Sequence, residues 1–163
     1  MRKKRHAIFE HSDFRRRYPE KVKAVKELQP PQILKQLRIT LGIFAYYRKF
    51  IPNFSKIAAP LYEQTKKHVQ NKRDKAAKIE LTEESAEAFA ALKEAITKEP
   101  IVLHYPNWKQ PFEIHTDASS EAVAAILCQR IDGKEKVIMY ASKTMSAVER
   151  KYQTYEQECL AVV

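Results

Sequence analysis

The chain has 163 residues, and a hydrophobic fraction of 44% provides enough apolar side chains for one domain of ordinary size or two small ones. Its net charge of +10 favours a polyanionic partner, with nucleic acid ahead of an acidic membrane surface. No apolar run approaches the ~18 residues of a membrane span and no signal-peptide core follows MRKKRH, so we expect an intracellular protein, cytoplasmic or nuclear, with no membrane partner.

The first half of the chain predicts a basic tail and three short helices. In residues 1–17, seven arginines and lysines outnumber two acidic residues; a solvated tail and a nuclear-targeting or phosphate-binding arm both fit, and we assign it no function. Prolines at 19, 30, 31 and 52 begin or end the helices, which form a small bundle with a basic outer surface. The apolar stripes are Val22, Val25 and Leu28, then Leu34, Leu37, Leu41, Phe44 and Ala45, then Ile57, Ala58, Leu61 and Tyr62.

Residues 65–78 have almost no apolar content and predict a linker or an exposed helical extension, which makes them the best domain boundary in the chain. A fourth helix follows, with Thr82 as its N-cap and Pro100 at its end. Its predicted buried face consists of Ala86, Phe89, Leu92 and Ile96.

Beyond Pro100 the pattern predicts strands at 101–104, 112–116, 123–129 and 137–141. Asp132-Gly133 is a strong hairpin signal between the last two strands. A helical turn is expected at 147–151, and the last helix is expected from about Thr154. Strands followed by a helix are typical of the opening of an α/β sheet domain.

The cysteines and histidines lack the spacing of a metal-binding motif. Cys128 and Cys159 lie in separate apolar segments, which predicts buried, reduced thiols rather than a disulfide or a metal site. His104 and His115 have no CxxC or HxxxH partner and are interpreted as ordinary strand residues.

Two carboxylates are candidates for metal chemistry. Asp117 follows a strand, and Glu158 lies in an apolar stretch that predicts a partly buried helix N-terminus. A strand-end aspartate facing a helix-borne glutamate is typical of nucleases that use two metal ions. The alternatives are that Asp117 is a turn or cap residue and that Glu158 is a solvated helical glutamate.

A cluster of cations and aromatic rings is the candidate nucleic-acid surface. Arg38, Tyr47, Arg48 and Lys49 combine groups that contact phosphates with a ring that stacks on bases, and Tyr46 lies beside them. The alternative is that either tyrosine caps the bundle core and that the arginines serve solubility.

Four segments occur in a colinear order that chance similarity does not explain. They are LGIFAYYRKFIPNFSKIAAPLYEQTKK, LTEESAEAFAALKEAITKEPIVLHYP, PFEIHTDASS and IMYASKTMSAVERKYQTYEQECLAVV. Through them the chain, from about Tyr18 to Val163, resembles the Pol polyprotein of gypsy-type LTR retrotransposons.

The resemblance implies an α+β protein in three parts. These are a basic tail (1–17), a reverse transcriptase thumb-like helical region with its linker (18–78) and the N-terminal part of an RNase H-like α/β sheet domain (79–163). It implies that Asp117, in TDAS, and Glu158, in ECLAVV, are catalytic residues that bind Mg²⁺ to hydrolyse RNA in an RNA–DNA hybrid. It also implies RNA-directed DNA polymerase activity in the whole polyprotein, with the thumb lying along the primer–template duplex.

This sequence departs from the family pattern in several places. Leu81 replaces a tryptophan and Ala124 a glycine, while the polymerase palm and two further metal-binding aspartates have no counterpart. We therefore expect the isolated chain to be catalytically silent, with an apolar sheet edge exposed and with aggregation or partial order beyond Pro100. The alternatives are a non-catalytic nucleic-acid-binding remnant and a degenerate reading frame.

Overall fold

A computed structural model describes residues 12–13, 19–67, 77–97 and 102–162. Most of the basic tail, the centre of the predicted linker, Pro100 and Ile101 lie outside the described residues. The helices are α1 (Pro19–Lys26), α2 (Leu34–Tyr46), α3 (Phe54–Lys67), α4 (Glu83–Thr97) and α5 (Thr154–Val162). The strands are β1 (Ser12–Asp13), β2 (Val102–Leu103), β3 (Glu113–Ala118), β4 (Ala122–Ile131) and β5 (Lys134–Thr144).

Helices α1 to α4 share one hydrophobic core. Helix α4 packs against α1 and α3, and the rings of Phe44 and Phe89 meet with their centroids 5.8 Å apart. The buried apolar residues of this core are Val25, Leu34, Leu37, Leu41, Phe44, Tyr47, Phe50, Ile51, Phe54, Ala58, Leu61, Ile79, Ala88, Phe89, Leu92, Ile96 and Leu103. The domain boundary after residue 78 stays a prediction, because the core includes residues from both sides of it.

The predicted face of α4 is correct except at Ala86, which is exposed. Ser85 takes its place, because Ser85, Phe89, Leu92 and Ile96 recur at the three- and four-residue spacing of one helix face. The N-cap prediction is confirmed, since the backbone N–H of Ser85 donates to Thr82 Oγ1 at 3.3 Å.

The second half of the described chain is built on an antiparallel sheet in the order β3-β4-β5. Asp132 (φ 53°) and Gly133 (φ 74°) form the predicted hairpin turn between β4 and β5. A bulge at Leu127/Cys128 interrupts the register of that hairpin. Helix α5 packs against β3 and β4, so the predicted α+β class is confirmed.

The sheet meets the helical region along β5, which contacts α3. Ser142, a buried residue of β5, accepts a hydrogen bond from the backbone N–H of Ser55 at 2.9 Å and donates one to Ser55 Oγ at 3.1 Å. Arg48 Nη2 donates to the Ser142 carbonyl at 2.7 Å. Three hydrogen bonds therefore join two regions that lie far apart in sequence.

None of the helices in the described ranges is long and apolar enough to cross a membrane.

Candidate active site and its surroundings

Asp117 lies one residue before the end of β3, opposite Ala124 on β4. Its side chain is exposed. Ser119, two residues further along the chain, closes the turn to β4. Its Oγ donates to the Ala122 carbonyl at 2.9 Å and accepts from the Ala122 N–H at 3.1 Å. The side chain that stabilises this turn is therefore Ser119 and not Asp117, whose carboxylate lies at the surface.

A cleft of about 160 Å³ lies beside this strand. Asp117 and His115 line it from β3, Tyr140 lines it from β5, and Pro52 and Asn53 line it from the loop before α3. Asn53 has a positive φ of 52°, a conformation that asparagine tolerates better than most residues. The helical region therefore supplies one wall of the cleft that contains Asp117.

Glu158 is the fifth residue of α5, and α5 packs against β3, the strand that carries Asp117. The prediction of a partly buried helix N-terminus is wrong, because no residue of α5 is buried and Glu158 is exposed. The prediction that Cys159 is buried is also wrong. Helix α5 packs against β3 and β4, and Val162 near its C-terminal end is 74% exposed.

The two carboxylates suit a hard divalent cation. Exposed carboxylate oxygens are the ligands that Mg²⁺ prefers, and Mg²⁺ keeps several waters or phosphate oxygens besides them. Asp117 and Glu158 are both exposed, and they lie on two elements that pack against each other.

The predicted nucleic-acid residues have different surroundings. Arg38 on α2 and Lys49, in the short 3-10 turn after it, are exposed. Arg48 is exposed too, but one of its N–H groups is committed to the Ser142 carbonyl. Tyr47 is buried in the core, and burial, followed by the neighbouring Tyr46, raises its pKa. The alternative in which a tyrosine caps the bundle core therefore describes Tyr47, whereas Tyr46 is 64% exposed.

A second group of ligand-type side chains lies at the beginning of β3 and on the neighbouring strand. Donor atoms of Glu113, His115 and Cys128 all lie within 4.8 Å of one another. Glu135 of β5 brings a carboxylate oxygen to 3.7 Å from His115 Nε2, and Arg130 contacts Glu113 at 3.3 Å. Burial, followed by the charges of Glu135 and Glu113, raises the pKa of the Cys128 thiol.

Sequence reasoning missed this group because its signal is not a spacing along the chain. Glu113 and His115 are two residues apart on one strand, while Cys128 is brought opposite Glu113 by the β3–β4 register. The sequence signal for this group is an ExH pair on one predicted strand, followed by a cysteine on the next strand. His104, the other histidine considered, is half-buried, and its backbone N–H donates to the Val137 carbonyl at 2.7 Å.

Comparison with known proteins identifies the class of this chain. Residues 81–163 match the family described as the RNase H-like domain found in reverse transcriptase, and the chain belongs to that family. It is 35% identical over 148 residues to the retrovirus-related Pol polyprotein from transposon opus of Drosophila melanogaster, and 36% identical over 148 residues to that from transposon gypsy. The predicted resemblance to gypsy-type Pol polyproteins is confirmed.

Each of these matches covers 89% of this chain, but 15% of the opus polyprotein and 14% of the gypsy polyprotein, so the chain spans a small part of the relatives' length. Among solved structures, the foamy viral protease-reverse transcriptase in complex with dsDNA has a TM-score of 0.72 at 24% identity, covering 88% of this chain and 28% of that one. The same viral enzyme in complex with an RNA/DNA hybrid has a TM-score of 0.70. These likenesses show the fold.

Proposed function

We propose that this chain acts within a retroelement Pol protein that hydrolyses the RNA strand of RNA–DNA hybrids, with Mg²⁺ held by Asp117 and Glu158. The observation that carries the proposal is the position of the two carboxylates. Asp117 lies exposed at the end of β3, and Glu158 lies on the helix that packs against that strand. Opus and gypsy Pol polyproteins, which this chain resembles in sequence, are retrovirus-related, and RNA–DNA hybrids are intermediates of reverse transcription.

When bound, divalent metal ions activate the attacking water and stabilise the leaving oxygen of the phosphodiester. The chain itself contributes two carboxylates. Their negative charge attracts the ion, and their oxygen atoms serve as ligands that orient it. Two carboxylates leave most coordination positions to water and to phosphate oxygens, so we expect the 163-residue chain to bind hybrid but to cleave it weakly or not at all.

The helical region is proposed to bind the duplex through Arg38 and Lys49, with the remaining N–H groups of Arg48 beside them. Arg38 and Lys49 are exposed and their side chains reach phosphates without sequence preference. Tyr47 supports them from the core, because its buried ring holds the turn that carries Arg48 and Lys49. RNA-directed DNA polymerase activity is proposed for the whole Pol protein rather than for this region.

The test is a cleavage and binding assay on a labelled RNA–DNA hybrid, with Mg²⁺, for the purified chain and an Asp117→Asn variant. We expect salt-sensitive binding by both proteins, because charge neutralisation of phosphates dominates such binding. Changing Arg38 and Lys49 together to glutamine should reduce the slope of log affinity against log salt by about 2. The same change at Lys134 and Lys136, at the far end of the hairpin, is the matched control.

The outcomes separate the candidate functions. Cleavage that disappears in the Asp117→Asn variant would show that the two carboxylates suffice for hydrolysis. Binding without cleavage by the chain, together with Asp117-dependent cleavage by a longer Pol protein that contains it, is the expected result. If Asp117→Asn leaves cleavage by the longer protein unchanged, the assigned metal role is wrong, and a non-catalytic nucleic-acid-binding function is favoured.

A further inference from the structure

Four side chains with metal-binding groups meet on one face of the sheet, and the proposed hydrolysis makes no use of them. Glu113 and His115 lie on β3, Cys128 on β4 and Glu135 on β5. Side chains two residues apart on a strand share a face, and the register pairs Glu113 with Cys128 directly. The β4–β5 pairing, shifted by the bulge, pairs Cys128 with Val137, which places Glu135 on the same face.

Three of the four donor atoms lie close to one another, and the fourth, from Glu135, lies beside His115. Those of Glu113, His115 and Cys128 lie within 4.8 Å of one another, and His115 Nε2 is 3.7 Å from Glu135 and 4.0 Å from Glu113. A tetrahedral zinc ion with ligand bonds of about 2.0–2.3 Å separates its donors by about 3.3–3.8 Å. The Glu113, His115 and Glu135 side chains are partly exposed, so they have room to rotate toward a shared ion.

We propose that Glu113, His115, Cys128 and Glu135 form a structural zinc site that ties the three strands of the sheet together. One nitrogen, one sulfur and two carboxylate ligands complete a tetrahedral shell, which is the closed arrangement of structural zinc sites. Two ligands come from β3 and one each from β4 and β5, so the ion links every strand of this sheet.

The donor types distinguish this site from the one at Asp117 and Glu158. A thiolate and an imidazole favour Zn²⁺ over Mg²⁺, whereas an all-carboxylate pair favours Mg²⁺. Arg130 contacts both Glu113 carboxylate oxygens at 3.3 Å and acts as a positioning residue that orients this ligand. On binding, Cys128 forms its bond to zinc as a thiolate, and the thiol proton passes to solvent.

The same group, without metal, is a hydrogen-bonded cluster that keeps a buried thiol protonated. The Cys128 sulfur donates towards the Glu113 carbonyl at 3.5 Å, and Glu135 also hydrogen-bonds the thiol. If the cluster is a metal site, the chain should bind zinc and cobalt through it. If it is only a hydrogen-bonded cluster, the chain should not respond to either ion.

The experiment uses the full 163-residue chain with Zn²⁺ and with Co²⁺ as a spectroscopic substitute. We expect one ion per chain, a thiolate-to-cobalt charge-transfer band, the visible absorption of tetrahedral cobalt, and a rise in melting temperature on adding Zn²⁺. His115→Gln should weaken zinc binding at least about tenfold and remove the rise in melting temperature. Cys128→Ser should abolish the charge-transfer band.

Cys159→Ser and Asp132→Asn are the matched controls, since neither residue belongs to the cluster or to the proposed Mg²⁺ ligands, and both variants should bind zinc as the parent chain does. His115 is half-exposed, so His115→Gln keeps the test decisive if the buried Cys128 cannot be changed without unfolding. Stoichiometric binding without the charge-transfer band, or zinc affinity unchanged by His115→Gln, would overturn the proposal. A chain that does not bind zinc at all would overturn it equally.

Discussion

The helical region and the sheet use their side chains in opposite ways. Helices α1 to α4 turn large apolar residues such as Phe44, Leu61 and Leu92 into a continuous core. In the sheet, Ile114 is 66% exposed and Met139 is also exposed, and the register places both opposite Leu127 in one row. This comparison indicates that the folding stability of the chain resides mainly in the helices. The candidate metal-binding residues Asp117, Glu113 and His115 lie instead on the sheet, whose surface is more exposed.

A buried polar side chain of the sheet also holds the loop before β3. Within the sheet, Gln129 is fully buried and its amide makes three hydrogen bonds to the backbone of the 107–110 loop. That loop presents Trp108, which is 82% exposed and contacts the Phe112 ring at 5.6 Å. The position of the 107–110 loop therefore depends on the polar contacts of one buried side chain, Gln129.

The largest expected effect comes from Phe44→Ala in α2. Removing a fully buried aromatic ring from the helical core should lower the free energy of unfolding by about 3–5 kcal/mol, measured by urea denaturation. Ile39→Ala, in the same helix but half-exposed, is the matched control and should cost about 1 kcal/mol or less. Equal losses for the two variants would refute the view that this core carries the stability.

An intermediate effect is expected from Gln129→Met in β4. Methionine keeps the approximate shape but leaves the Asn107 N–H and the Gln110 carbonyl without their Gln129 partner, which should cost about 2 kcal/mol. The Asn107 carbonyl still accepts from the Gln110 N–H. Trp108 is the single tryptophan of the sequence, so its fluorescence anisotropy reports loop motion directly and should fall. Gln153→Met, at an exposed residue just before α5, should change neither quantity. An unaltered Trp108 signal in the Gln129 variant would contradict the assigned role.

The smallest effect tests the junction between the two regions. Ser142→Ala removes the oxygen that accepts from the Ser55 N–H, and should destabilise the chain by about 1 kcal/mol. Ser55→Ala and the double variant complete a thermodynamic cycle, in which an interaction energy above about 0.5 kcal/mol is expected. Exposed Ser120→Ala serves as the control. Strictly additive losses would mean that the sheet docks on the helices without this contact.

Much of the fold was predictable from local patterns. The apolar stripes of α2 and α3, the Thr82 cap and the Asp132-Gly133 turn each depend on residues close together in sequence. All are present in the structure except that Tyr62, predicted in the stripe of α3, is exposed. The candidate carboxylates were chosen through the TDAS and ECLAVV motifs, and their catalytic role stays a prediction. Burial on the last helix was mispredicted, because an apolar stretch does not reveal how much surface its neighbours provide.

The sequence by itself determined the helices, the hairpin, the α+β class and the retroelement Pol family, since these follow from short-range spacing and from long colinear motifs. Only the tertiary structure decided that Tyr47 is buried, that Arg48 joins the sheet through Ser142, and that Cys128 lies opposite Glu113. The physical reason is the same in each case. Such contacts join residues separated by 15 to 94 positions, and they depend on strand register and element packing that no local pattern encodes.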